Sequence, residues 1–71
     1  MNRIKEIRLQ KKMKQKDIAL STGLSMPAIS LYENGKSTPS MNSAFKISQA
    51  LGVTIDELFG SEVFEKQEVT Q

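Results

Sequence analysis

The tripeptide Gly23-Leu24-Ser25 constrains the fold of this chain more than any other feature of its sequence. Glycine enters the left-handed conformation without a Cβ penalty and so ends a helix, whereas serine is a strong N-cap that starts one. The tripeptide is therefore predicted to join a helix over residues 15–22 to a second one that ends at Asn34-Gly35. Two helices joined by so short a turn cross steeply, as in a helix-turn-helix.

Other start and stop signals predict three further helices. The first covers residues 2–12, where Ile4 and Ile7 are apolar at helical spacing. A fourth helix is capped by Ser40 and runs to Leu51, and a capping box at Thr54-Ile55-Asp56-Glu57 starts a short fifth helix.

No alternating strand pattern is present in the sequence, so the predicted fold class is all-α. We expect a compact five-helix domain over residues 1–60, in which helices two and three form the helix-turn-helix. Residues 61–71 are expected to form a short C-terminal tail that is loosely ordered unless it packs on something.

The absence of two residue types argues against most catalytic chemistry. The chain contains no Cys and no His, which removes disulfides, thiolate metal sites and the commonest general base. Asp56 and Glu57 are adjacent on a helix and face different directions, and no glycine-rich phosphate loop is present. We therefore predict no catalytic residues, no metal and no cofactor. With no residues left for an effector domain, no small-molecule ligand is expected either.

No apolar run approaches the roughly 18 to 20 residues needed to cross a bilayer, and no apolar signal-peptide segment follows the N-terminal charges. A cytoplasmic protein without membrane association is expected. Its charge is unevenly distributed: residues 1–36 have a balance of +5 and residues 37–71 a balance of −3, within a net charge of +2. The basic half suits a surface for phosphates. Solvation of a helix face explains Lys5, Lys11 and Lys12 equally well.

Several restrictive positions at fixed spacing resemble the Cro and phage-repressor (XRE-like) family of helix-turn-helix proteins, over residues 4–59. They are Gln15, Ala19, Gly23, Ile29 and Glu33-Asn34-Gly35. The resemblance implies a lambda-repressor-like fold and a homodimeric transcriptional regulator, most often a repressor, that binds a palindromic operator in double-stranded DNA. It also implies a structural ion pair between Arg8 and Glu33. The small residues Ala19 and Gly23 are expected to let helix three approach helix two closely.

In this family helix three enters the major groove, so its outward positions and the polar or basic residues that flank it are the predicted DNA-binding residues. They are Lys14, Gln15, Lys16, Ser25, Met26, Pro27, Ala28, Ser30, Leu31, Asn34, Lys36 and Ser37.

Helix three departs from the family pattern because its outward face has no glutamine, arginine or asparagine for bidentate contacts to guanine or adenine. Apolar contacts to thymine methyl groups, serine hydrogen bonds and DNA shape would have to supply specificity. The resulting hypothesis is a preference for thymine-containing half-sites with modest discrimination. The alternative is that this apolar surface binds a protein.

The C-terminal half is the predicted dimer interface, through Phe45, Leu58, Phe59, Val63 and Phe64. A place in the hydrophobic core explains Leu58 and Phe59 about equally well. Leu9 and Leu20, like Phe45, fall where polar residues are common, and a cluster of such residues would mark an interface. An antitoxin-type module that binds a partner protein as well as DNA is the alternative function.

Overall fold

The computed structural model describes residues 2–60. They form five α-helices and, within that range, no strand: α1 (Ile4–Gln10), α2 (Gln15–Thr22), α3 (Met26–Glu33), α4 (Met41–Leu51) and α5 (Ile55–Phe59). The predicted all-α, five-helix architecture is confirmed, and α2 and α3 form the helix-turn-helix. The predicted tail, with Val63 and Phe64, lies outside the described residues.

Each helix contributes at least one fully buried side chain to a single hydrophobic core. The largest of these side chains are Ile4, Ile18, Ile29, Ile47, Leu51 and Leu58. The described helices are too short and too polar to span a lipid bilayer.

Leu58 and Phe59 lie inside this core, with exposed fractions of only 1% and 3%. The prediction that they form a dimer interface is therefore wrong, because their own chain already covers them. The backbone N–H of Arg3 donates to the carbonyl oxygen of Leu58 at 2.8 Å, which ties the start of α1 to α5. Burial of these two residues therefore stabilises the monomer fold and leaves little of their surface for a partner.

Helix α1 is shorter at its C-terminal end than predicted, because Lys12 adopts the left-handed conformation with φ of 58°. The N–H of Lys12 donates to the carbonyl of Leu9, and the N–H of Met13 donates to the carbonyl of Arg8, each at 3.0 Å. This pair of bonds is a Schellman motif, which normally has glycine at the left-handed position. The sequence has no glycine there, so no local signal marks the helix end.

The start of α1 is held by Asn2. Its Oδ1 accepts from the N–H of Ile4 at 3.0 Å, and its Nδ2 donates to the carbonyl oxygen of Tyr32 at 2.8 Å. One side chain thus accepts the first N–H of α1 and connects this helix to the C-terminal end of α3.

Candidate DNA interface

The turn between α2 and α3 has the predicted bounds. Gly23 is left-handed with φ of 79°, and its N–H donates to the carbonyl of Ala19 at 2.8 Å. Ser25 caps α3, since its Oγ accepts from the N–H of Ala28 at 3.2 Å. Pro27, in the first turn of α3, costs no intrahelical hydrogen bond.

The expectation that Gly23 is small in order to admit α3 is wrong. A Cβ placed on Gly23 would meet no heavy atom within 4 Å. The glycine is required instead by its backbone conformation, which costs a residue with a Cβ about 1–2 kcal/mol.

Thr22 holds the turn from the inside. It is 7% exposed, and its Oγ1 donates to the carbonyl of Ile18 at 2.8 Å while accepting from the N–H of Leu24 at 3.1 Å. The hydroxyl satisfies a backbone donor that the turn leaves without a helical partner. A larger apolar residue at this position could not make that bond.

The outward face of α3 is apolar, as the sequence indicated. Ile29 is fully buried and anchors the helix, whereas Met26 and Leu31 are each 45% exposed. Ser25 and Pro27 are exposed, and the predicted contact residues Ala28 and Ser30 are half-buried.

A buried ion pair joins α1 to the last residue of α3. Arg8 Nε donates to Glu33 Oε2 at 2.6 Å and Arg8 Nη2 donates to Glu33 Oε1 at 3.1 Å, a bidentate arrangement. The two side chains are only 10% and 2% exposed. Arg8 Nη1 also donates to the carbonyl of Met13 at 3.0 Å, so the same guanidinium holds the loop before α2.

Gln15 extends this network to the first residue of α2. Its Nε2 donates to Glu33 Oε1 at 3.1 Å, and its side chain is half-buried. The sequence predicted Gln15 as a DNA contact but not its hydrogen bond to Glu33, because residues 18 positions apart give no local signal. The contact places the N-terminal end of α2 directly against the C-terminal end of α3.

Exposed polar and basic residues flank both partners of the Gln15–Glu33 contact. Lys14 and Lys16 stand on either side of Gln15, and the segment after Glu33 supplies Asn34, Lys36 and Ser37. The chain turns at Gly35, with φ of 72°, and the N–H of Lys36 closes the helix end on the carbonyl of Leu31 at 3.0 Å. The contact therefore gathers three lysines from two segments into one region.

The polar atoms beneath this region are fully satisfied by the fold. Every buried side-chain nitrogen and oxygen of residues 2–60 has a hydrogen-bond partner. In the same range no cluster of three or more acidic, His or Cys residues could hold a metal ion. The region is thus an apolar helix face next to exposed cations.

Comparison with known proteins identifies this arrangement. The helix-turn-helix family model matches residues 4–58, which include all five helices except the last residue of α5. The chain belongs to the helix-turn-helix family of transcriptional regulators. The predicted membership in the XRE-type branch of this family is thereby confirmed.

Named relatives agree with this family. The chain is 38% identical over 58 residues to an uncharacterised HTH-type transcriptional regulator of Methanocaldococcus jannaschii, covering 82% of this chain and 88% of the relative. It is also 38% identical over 60 residues to the HTH-type transcriptional activator BcrR of Enterococcus faecalis, covering 84% of this chain but only 29% of that longer protein.

A solved structure matches the fold of this helix-turn-helix protein closely. The restriction-modification controller protein C.AhdI from Aeromonas hydrophila has a TM-score of 0.76 and 30% sequence identity, covering 80% of this chain and 86% of that one. The two proteins therefore share one helical fold over most of their lengths.

Proposed function

We propose that this helix-turn-helix regulator binds a palindromic operator in double-stranded DNA as a homodimer, represses transcription, and acts in the cytoplasm without catalytic activity. The observation that carries the proposal is the Gln15–Glu33 contact of 3.1 Å, which brings the segments of Lys14, Lys16 and Lys36 together at the C-terminal end of α3. Lysines gathered near one end of such a helix suit contacts to the phosphate backbone that borders the groove. The three lysines therefore have the exposure and charge that a phosphate contact requires.

A homodimer is supported by an apolar groove between α4 and α5, on the acidic half of the chain. Phe45 is 51% exposed at its edge. The groove has a volume of about 450 Å³ and is lined by Phe45, Ser48, Gln49, Val53, Thr54, Ile55 and Asp56. A second copy seated on this groove would bury Phe45. Operator binding requires that such a dimer hold its two α3 helices about 34 Å apart, one turn of DNA.

Repression is the simpler consequence of such binding. Steric exclusion of RNA polymerase requires only that the domain occupy DNA within a promoter. Activation requires an additional surface that contacts polymerase. In a reporter assay with the operator overlapping the promoter, expression of this chain should therefore lower transcription.

The test of DNA binding is a selection from a randomised duplex pool at low and moderate salt, with the stoichiometry of the enriched complex measured by sedimentation. We expect a palindromic sequence, two chains per duplex, and an affinity that falls steeply with salt. Failure to enrich any sequence would refute operator binding and turn attention to a protein partner of the antitoxin type.

A further inference from the structure

We propose that α3 selects its site by contact with the C5-methyl groups of pyrimidines, chiefly thymine, in the major groove. The proposal rests on the operator binding proposed above and specifies which chemical group of the operator is recognised.

The first argument is the composition of the exposed face of α3. Pro27 and Leu31 are four residues apart and so lie on one face, with Met26 beside them. Met26 and Leu31 are 45% exposed, so each presents close to half of its surface without a partner in the described chain.

The second argument is that the polar residues of α3 are already engaged or poorly suited to base recognition. Glu33 is bound by Arg8 and Gln15, and Tyr32 is half-buried against the core. Ser30 is half-buried, and the Oγ of the N-cap residue Ser25 already accepts from the N–H of Ala28. The hydroxyls of both serines bond to any base and discriminate weakly. Helix α3 therefore has no side chain that could make a bidentate contact to guanine or adenine.

The third argument comes from the major-groove edges of the bases. Among the four, only thymine presents an apolar group there, its C5-methyl. Contacts from Met26, Pro27 and Leu31 would therefore be satisfied at thymine and would meet a carbon-bound hydrogen or a polar edge at the other bases. 5-Methylcytosine carries the same methyl at the same ring position, so methylation of a contacted cytosine should strengthen binding.

DNA, and not an apolar protein surface, is the occupant that the surrounding charges favour. Lys14, Lys16 and Lys36 are exposed on the segments that meet at the C-terminal end of α3, and they would have no anionic partner in an apolar docking site. A DNA duplex provides partners for the apolar face of α3 and for the lysines, because it offers methyl groups in the groove and phosphates along its edges.

The experiment uses the full chain and two randomised duplex pools, one synthesised with thymine and one with uracil, which lacks only the methyl group. In the best thymine-containing duplex, each thymine is then replaced singly by uracil and the affinity measured by fluorescence anisotropy. We expect two or three positions per half-site at which uracil weakens binding about fourfold, the effect of removing one buried methyl group.

Variants assign that effect to α3. Leu31→Ser should bind thymine and uracil duplexes equally at the position that Leu31 contacts, whereas Leu20→Ser, at a 77% exposed residue of α2, should retain the thymine preference. A cooperative thermal unfolding transition followed by circular dichroism, retained by Leu31→Ser, shows that the variant is folded.

The outcomes separate the two proposals. Selection of one sequence with equal affinity from both pools would overturn methyl recognition and leave operator binding intact. Enrichment of no sequence from the thymine pool would overturn operator binding, and methyl recognition with it. A thymine preference that Leu31→Ser and Met26→Ser both retain would also overturn the assignment to α3.

Discussion

Arg8 and Glu33 are joined by two hydrogen bonds of 2.6 and 3.1 Å across 25 positions of the chain, and both side chains are nearly inaccessible to water. Because Glu33 is the last residue of α3, this pair fixes one end of the helix that faces the proposed DNA site. Gln15 is held by the same carboxylate. Removal of either charge therefore affects α1, α2 and α3 at once.

Replacement of Arg8 by alanine should lower the free energy of unfolding by roughly 3–5 kcal/mol, because it leaves the buried Glu33 carboxylate without its cation. Urea denaturation followed by circular dichroism measures the change. Arg3→Ala is the matched control, since its ion pair with Glu6 has both side chains more than half exposed and should change stability little. Equal effects in the two variants would contradict a structural role for the buried pair.

Lys12→Gly should stabilise the protein, because it relieves the left-handed conformation that Lys12 adopts at the end of α1. The expected gain is about 1 kcal/mol relative to Lys12→Ala, which removes the same charge but keeps the Cβ. Thermal unfolding of both variants tests this comparison. If glycine proves no more stable than alanine, the end of α1 is not strained.

Single alanine substitutions of Lys14, Lys16 and Lys36 should weaken binding to all DNA sequences alike, because phosphate contacts position the protein without reading bases. Each substitution that frees one phosphate should make the slope of log affinity against log salt shallower by about 0.9. The measurement is a salt titration on operator and on random duplex. Lys46→Ala, at an exposed residue of α4, serves as control and should leave the slope unchanged.

Acid should weaken the start of α5. The backbone N–H of Thr54 donates to Glu57 Oε1 at 2.8 Å and holds the pKa of that carboxyl below its ordinary value of 4.5. A carboxyl whose pKa is lowered by folding stabilises the fold above its unfolded pKa, and this stabilisation disappears as the pH falls through the folded pKa. The stability difference between the wild type and Glu57→Gln should therefore shrink below about pH 4.5. A difference that does not change as the pH is lowered below about 4.5 would contradict this role of Glu57.

Phe45→Glu should shift the protein toward monomer, because it places a charge at the rim of the α4–α5 groove. Leu20→Glu adds the same charge at a residue that is 77% exposed on α2 and should leave the dimer intact. Sedimentation velocity on both variants separates the two surfaces. A dimer that survives Phe45→Glu but not Leu20→Glu would move the interface to α2.

The contribution of the tail to the dimer requires a separate experiment. Val63 and Phe64 were predicted to take part, and they lie outside the described residues. A chain ending at Gly60 should associate more weakly than the full chain. An undiminished dimer would confine the interface to residues 2–60.

The bounds of α2, α3 and α4 could be predicted from sequence because local residues mark them. Gly23 and Gly52 are left-handed at the ends of helices, and Ser25 and Ser40 each accept a backbone N–H at a helix start. The end of α1 could not be predicted, because a lysine occupies the left-handed position and only the tertiary fold holds it there.

Of the candidate site, the sequence predicted the apolar character of α3 and the basic residues around it. It did not predict the position of Gln15, because the bond from Gln15 to Glu33 depends on how α2 and α3 cross. The role of Thr22 could not be predicted either, because its hydroxyl accepts a hydrogen bond from the turn only after the helix has folded. Sequence alone could not decide whether Leu58 and Phe59 lie in the core or in a dimer interface, because both locations favour apolar side chains.

The outward face of α3 carries no charge between Met26 and Leu31, and this affects how DNA binding responds to the salt concentration in the cell. Contacts without charge release no counterions, so only the lysines make binding depend on ionic strength. An osmotic shock should therefore loosen or tighten this regulator on operator and bulk chromosome by the same factor. Its choice among sites would stay constant through such stress, and the number of protein copies per cell would set which promoters are occupied.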